Sequence, residues 1–315
     1  MGLQDRTPPT PDEYLAYRTR FSNWGRWGPD DELGTLNFIT TEARRTAASL
    51  VKEGRAVSVA RPIDTHAGPR NPYPAQHMAS LGNAGGLADY IGLFFHGFAQ
   101  THIDALSHIP TDEGRFYNDR PMGAAAGQIA LPEGMACGIE HWRQGIVGRG
   151  VLYDIPRLRG TEFVTKGAPV HGWELLDAAA AQGVEPRTGD VVCIRSGRDE
   201  WLAAHPDSQT WSVPAGVHAS VCEFLHETEA AALCWDMLDA PEADQGLPNP
   251  LPIDAPVHVH CIAIPYMGLP LIDNADFREL AATCAALGRY EFQFVTAPLI
   301  IEGGTGSPVN PIAVF

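Results

Sequence analysis

Apolar positions along this chain recur with two periods, and the order in which those periods alternate sets the fold class. From Thr41, side chains at Ala43, Ala47, Leu50 and Val51 keep helical spacing, and Gly54 follows as a stop. Val57 and Val59 then alternate as the start of a strand. Gly150–Ile155, Gly189–Arg195 and Ala232–Asp236 are short apolar runs bounded by turn or polar residues, the pattern of buried strands. Helical patterns lie between them, Trp173 to Ala181 ending near Gly183, and a face formed by Val217, Val221, Phe224 and Leu225. Asn274 is placed to cap a helix carrying Phe277, Leu280, Ala281, Cys284 and Leu287, with Gly288 as its stop. Tyr290 to Val295 alternates as a final strand. Strands interleaved with helices predict an α/β class with a mixed sheet.

Three stretches keep no period. Residues 1–22 are polar with early prolines at Pro8, Pro9 and Pro11, and Trp24 and Trp27 follow among turn formers. They predict an N-terminal arm, residues 1–28, lying on a single domain of residues 29–315. Residues 64–90, rich in Gly, Pro and Asn, predict a long loop. Thr111 to Asn118 predicts another, which suits a pocket wall and a plain surface loop equally. No repeat or linker divides the chain.

Charge and cysteine use narrow the function classes. With 38 acidic against 22 basic residues the net charge is -16, which repels nucleic acid and anionic lipid. The six cysteines contain no C-x-x-C pair, so neither a disulfide framework nor a zinc ribbon is indicated, and a reducing cytoplasm fits. No apolar run spans a membrane, and no signal peptide is expected from the first twelve residues. Walker A, dinucleotide, G-x-S-x-G and H-E-x-x-H patterns are all missing, so no nucleotide cofactor is expected.

The candidate chemistry is concentrated between Phe95 and His108. His96, His102, Asp104 and His108 fall within thirteen residues. If Thr101 to Ala105 runs extended, His102 and Asp104 point to one face, as two ligands of one ion would. The competing expectation is a buried strand end with satisfied polar groups. A second pair, His258 and His260, is followed by Asp273 thirteen residues after His260. A fold bringing His260 and Asp273 to His102 and Asp104 would assemble nitrogen and oxygen ligands suited to zinc, manganese or iron(II). Otherwise one histidine of the pair is bonded in the core and the other lies on the surface. Gly303 to Pro311 is dense enough in glycine to cradle an anion, although such stretches are more often tight turns.

The residues also resemble a known family, the cyclase family that includes bacterial arylformamidase (kynurenine formamidase) and isatin hydrolase. The markers are Trp27 to Asn37 (WGPDDELGTLN), Thr101 to His108 (THIDALSH), Gly189-Asp190-Val191-Val192, His260 with Asp273-Asn274, and Gly304 to Pro311 (GTGSPVNP). The chain is most similar to the family's longer, largely uncharacterised branch. The resemblance implies a single-domain swivelling β/β/α fold with a mixed sheet or barrel-like core. It also implies a homodimer or homotetramer with pockets near the subunit interface. In the hydrolases of this family a motif H-x-G-T-H-x-D-x-x-x-H supplies three metal ligands and a catalytic histidine. Laid on this chain it implies that His102, Asp104, His260 and Asp273 hold a divalent ion, Mn or Zn, and that His108 acts in catalysis. Phe98 stands where the first ligand is expected, and Gln100 where the longer branch often has another histidine, leaving His96 to swing in. Asp273 replaces the usual Glu, one methylene shorter.

The reading that follows is a metal-dependent hydrolase of a small cyclic or aryl amide, lactam or ester. His102 would act as a catalytic ligand and His108 as general base. Phe94, Phe95, Phe98, Gln100, Tyr117 and Trp235 are the candidates to line a substrate pocket. A metal-free cyclase closing a ring in a linear precursor, and a small-molecule binding protein without turnover, are the alternatives.

Overall fold

The computed structural model describes residues 3–82, 85–122, 135–210, 212–249 and 257–315. Among these residues the strands are β1 (Ala56–Ser58), β2 (Gln76–Leu81), β3 (Leu87–Gly92), β4 (His102–Asp104), β5 (Arg115–Phe116), β6 (Arg120–Pro121) and β7 (Ile146–Asp154). They continue with β8 (Val191–Arg195), β9 (Ala232–Trp235), β10 (Leu271–Asp273), β11 (Glu291–Thr296), β12 (Gly306–Pro308) and β13 (Ile312–Val314). Nine of them form one mixed sheet, ordered β1-β13-β11-β7-β8-β9-β10-β4-β12, which curls into a half-barrel. The centre, β7 through β10, is parallel, and the flanks are antiparallel.

The short apolar runs of β8 and β9 are buried on both faces, as strands of a parallel centre must be. Their side chains alternate between two cores. Val192, Ile194, Leu233 and Trp235 join Tyr14, Leu175 and Phe224 on one face, while Val191, Cys193, Ala232 and Cys234 join Ile103, Phe277 and Phe292 on the other. The α/β class and the mixed sheet follow the sequence pattern. So do the helix Gly172–Gln182, closed by left-handed Gly183, and the strand β11. No helix among the described residues is long and apolar enough to cross a membrane.

Four segments depart from expectation. The N-terminal segment contains a helix, Pro11–Arg20, opened by a capping box between Thr10 and Glu13. Tyr14 and Tyr17 of that helix are fully buried, and the Tyr14 hydroxyl donates to the carbonyl of His258 at 2.9 Å. The expected loop 64–90 holds the antiparallel hairpin β2–β3, which stands outside the main sheet. It buries no face, with Met78, Leu87, Tyr90 and Ile91 all exposed, so no period marks it. Within 111–118, Tyr117 is fully buried and its hydroxyl bonds Asp31 at 3.1 Å. Asn274 caps no helix: Phe277 holds the cap position of Arg278–Leu287, and Asn274 is left-handed with φ 58°.

The glycine-dense ending forms β12, paired to β4 with Gly306 opposite Asp104 and Pro308 opposite His102. Glycine is needed at 306 for close approach, since a Cβ there would stand 2.5 Å from the Ile103 carbonyl and 2.9 Å from His96 Cε1.

Because Tyr14 fills space between the N-terminal helix and the sheet, Tyr14→Ala is expected to cost about 3–5 kcal/mol. Urea unfolding of the two proteins measures it, and a loss below about 1 kcal/mol would show that the helix merely rests on the surface.

Candidate metal centre

Strand β4 lies between β10 and β12, and its period of two sends Ile103 into one core and His102 and Asp104 to the opposite face. Register then sets Asp273 of β10 directly across from His102. His260 enters from a helical turn, His260–Ile262, and His96 from the bend that precedes β4. The four elements bring five side chains to one place. His96 Nδ1 is 2.9 Å and His102 Nε2 3.3 Å from Asp104 Oδ1. His260 Nε2 is 3.6 Å from Asp104 Oδ2 and 3.3 Å from Asp273 Oδ2. His102 Nε2 is 3.9 Å from Asp273 Oδ2.

The pairs at 2.9–3.6 Å are spaced as neighbouring ligands of an ion would be. Two atoms each about 2.1 Å from a metal and 90–110° apart lie roughly 3.0–3.4 Å from each other. The test of fit is hydrogen bonding. His96 Nδ1 and both carboxylate oxygens of Asp104 are buried without an aligned hydrogen-bond partner, even though His96 Nδ1 and Asp104 Oδ1 are 2.9 Å apart. A cation beside them would satisfy these atoms. The inward atoms fall into two groups, His96–His102–Asp104 and Asp104–His260–Asp273, that share Asp104.

The outward atoms are tethered. His102 Nδ1 meets the Gln100 carbonyl at 2.9 Å, His260 Nδ1 the Asp239 carboxylate at 2.5 Å, and His96 Nε2 the Thr305 hydroxyl at 3.0 Å. The Trp235 indole N–H donates to Asp273 Oδ1 at 2.5 Å. Placing each histidine proton on the outer nitrogen leaves a lone pair facing in, the arrangement of metal-bound histidines.

Electrostatics agree. Burial alone would lower the His260 imidazole, but Asp273 and Asp239 outweigh it and hold it well above its usual value. His102 is raised too, against burial, chiefly by Asp104. For Asp104 burial works upward, yet His108, His102 and His96 hold its carboxyl well below the carboxylate range. The pocket favours positive charge. His108 stands apart: its ring stacks on His96 at 3.9 Å, its Nε2 is 3.8 Å from Asp104 Oδ2, and its side chain is 24% exposed. Burial pushes it down to about 4, so at neutral pH the ring is uncharged.

The other candidate residues separate by burial. His258 does not join the site, and its Nε2 meets the Leu247 carbonyl at 3.3 Å inside the core. Tyr117 and Trp235 are fully buried, the first bonded to Asp31 and the second to Asp273, so neither offers a wall to substrate. Gln100 is 2% exposed; its carbonyl holds His102 and its amide group bonds the backbone of Asp64. Phe95 packs on His96 with ring centroids 4.6 Å apart, whereas Phe94 is exposed. Phe98 lines a cavity of about 360 Å³ with Arg198, Val213, Met237 and Leu238. That cavity lies at the carboxyl ends of β8 and β9, where ligands bind in open α/β sheets, and it shares Asp239 with the metal centre. Asp239, Arg198 and the tether made by Trp235 carry no signal in the sequence, because each acts through a partner distant along the chain, whereas Thr305 lies within the marker Gly304 to Pro311 without its role being legible there.

A family model described as "Putative cyclase" matches residues 45–242. A crystal structure of a novel cyclase is 30% identical, covers 95% of this chain and 99% of that one, and superposes with a TM-score of 0.79. Isatin hydrolase A from Labrenzia aggregata, bound to benzyl benzoate, is 15% identical over 85% of this chain and 94% of its own, with a TM-score of 0.54. An isatin hydrolase bound to the product analogue thioisatinate is 14% identical over 88% and 99%, with a TM-score of 0.53. These two share the fold. No curated protein is significantly similar to the chain.

Asp239→Asn keeps an acceptor for His260 Nδ1 but removes the charge behind it. Affinity for Mn(II) or Zn(II), measured by competition with a chromophoric chelator, is expected to fall about 10–100-fold. An unchanged affinity would mean that His260 is not a ligand.

Proposed function

The chain belongs to the cyclase family, and from that premise we propose that it is a metal-dependent hydrolase of a small cyclic or aryl amide, lactam or ester. The observation that carries this is the convergence of buried, unpartnered ligand atoms on Asp104. His96, His102, Asp104, His260 and Asp273 would hold a divalent ion, Mn or Zn. His96 then supplies from the bend the imidazole that positions 98 and 100 lack. When bound, such an ion polarises a carbonyl and acidifies water.

The chain's own residues do the rest. His108, neutral and partly exposed beside Asp104, takes the proton from the attacking water at Nε2. The cavity beyond Asp239 is mostly apolar and receives the aryl portion, with Phe98, Val213 and Met237 against it. A cavity of about 360 Å³ is in the range that encloses a small aromatic substrate. The fold neighbours solved with benzyl benzoate and with thioisatinate support a carbonyl compound of this kind.

Protein purified without added metal is expected to carry close to one equivalent of Mn or Zn by elemental analysis, and chelation is expected to remove turnover of aryl amides, lactams and esters. Full activity in metal-free protein would leave ring closure without metal as the reading; ligand-induced stabilisation with no turnover would leave a binding protein. His108→Ala should retain the metal while its turnover falls about 10²–10⁴-fold. Persistent turnover would remove His108 as the base.

A further inference from the structure

Between His96 and His102 the chain makes a tight turn whose carbonyls point inward. The carbonyls of Gly97, Phe98 and Gln100 are all held by two buried side chains from elsewhere. Asn274 Nδ2 donates to Gly97 O at 2.7 Å and to Gln100 O at 2.9 Å. The Arg198 guanidinium donates to Phe98 O and to Asn274 Oδ1, which joins the two side chains into one clamp.

The clamp is itself anchored. The Asn274 carbonyl accepts from Thr101 Oγ1 at 2.9 Å and from Arg61 Nε at 3.0 Å, and Arg61 forms a two-point pair with Asp199 at 2.8 Å. The turn also demands glycine at 97, where φ is 128°.

Three features tie the clamp to the metal centre rather than to general stability. Gln100 O, gripped by Asn274, is the carbonyl that orients His102. Gly97 O, its other partner, belongs to the residue after His96. Asn274 directly follows Asp273, so one left-handed residue links the supports of three ligands. Arg198 is only 7% exposed, and the two acceptors it meets are neutral. Its Nε has no hydrogen-bond partner, and burial pushes the group down to about 9. A buried cation with such partners is costly. The nearby carboxylates of Asp199, Asp236 and Asp273 offset part of that cost, and the guanidinium in turn fixes Phe98 O and thereby the direction of the Phe98 ring along the cavity.

We propose that Asn274 and Arg198 are positioning residues of the metal centre, setting the 97–100 turn so that His96 and His102 aim at one point and Phe98 faces the cavity. The inference rests on the metal-dependent reading above. It is tested with Co(II) alone as probe, read by its visible d–d spectrum and by calorimetric affinity. Asn274→Gly tolerates the positive φ but removes the amide, and Arg198→Met removes the fork. Both are expected to weaken Co(II) binding about 10–100-fold and to change the shape of the visible band, because the ligand angles change. If Asn274→Gly does not fold, Asn274→Asp, which keeps shape but cannot donate to the two carbonyls, replaces it, and if Arg198→Met does not fold, Arg198→Lys, which keeps the charge but not the fork, replaces it, each with the same expectation. Wild-type affinity and spectrum in the folded variants would overturn the positioning role, whatever their melting temperatures. Failure of the unaltered protein to bind Co(II) would instead overturn the metal reading.

Discussion

A carboxylate sealed inside the sheet without a hydrogen-bond donor of its own is the constraint from which the rest of the centre follows. Asp104 is fully buried and neither of its oxygens has an aligned partner. An isolated ionised carboxylate cannot stay in such a place, so it must be neutralised by protons on neighbouring imidazoles or by a cation. His96, His102, His108 and His260 all lie within 4 Å of it. The outer nitrogens of His96, His102 and His260 are in turn spent on Thr305, Gln100 and Asp239. The site is a cage for positive charge, and His108, stacked on His96, stands at its edge.

The sheet makes this arrangement possible by bringing antiparallel edge pairing against a parallel centre at β10. The parallel strands β8, β9 and β10 end on the same side, so the segments after them supply Arg198, Asp239 and Asn274 around the site. Antiparallel β4, threaded beyond β10, carries His102 and Asp104 into that crevice. Candidate ligands from both chain directions, His102 and Asp104 on β4 and Asp273 on β10, therefore meet their supports at one end of the half-barrel. The cavity lined by Phe98 and Leu238 occupies the adjoining space.

Much of the scaffold was legible because its cause is local. A short apolar run bounded by turn or polar residues specifies β8 and β9, and a glycine-stopped helical stripe from Trp173 to Ala181 specifies Gly172–Gln182. The hairpin β2–β3 was not legible, since a ribbon exposed on both sides leaves no apolar period. Asn274 misled for a related reason. Its side chain has the chemistry of a helix cap, but the same amide serves as well for two carbonyls of a distant turn, and only the packed chain selects between them.

By itself the sequence determined the α/β class and the pairing of His102 with Asp104 on one face, because strand periodicity is a property of neighbouring residues. Through resemblance it also pointed to His260 and Asp273. Only the tertiary structure decided that His96, not position 98 or 100, lies against Asp104, that His258 stays in the core, and that Trp235 is bonded to Asp273 and the Gln100 carbonyl to His102. Those outcomes depend on strand register and on which partners the packed chain brings within bonding distance, from Gln100 beside His102 to Thr305 beside His96, and neither leaves a trace in local spacing.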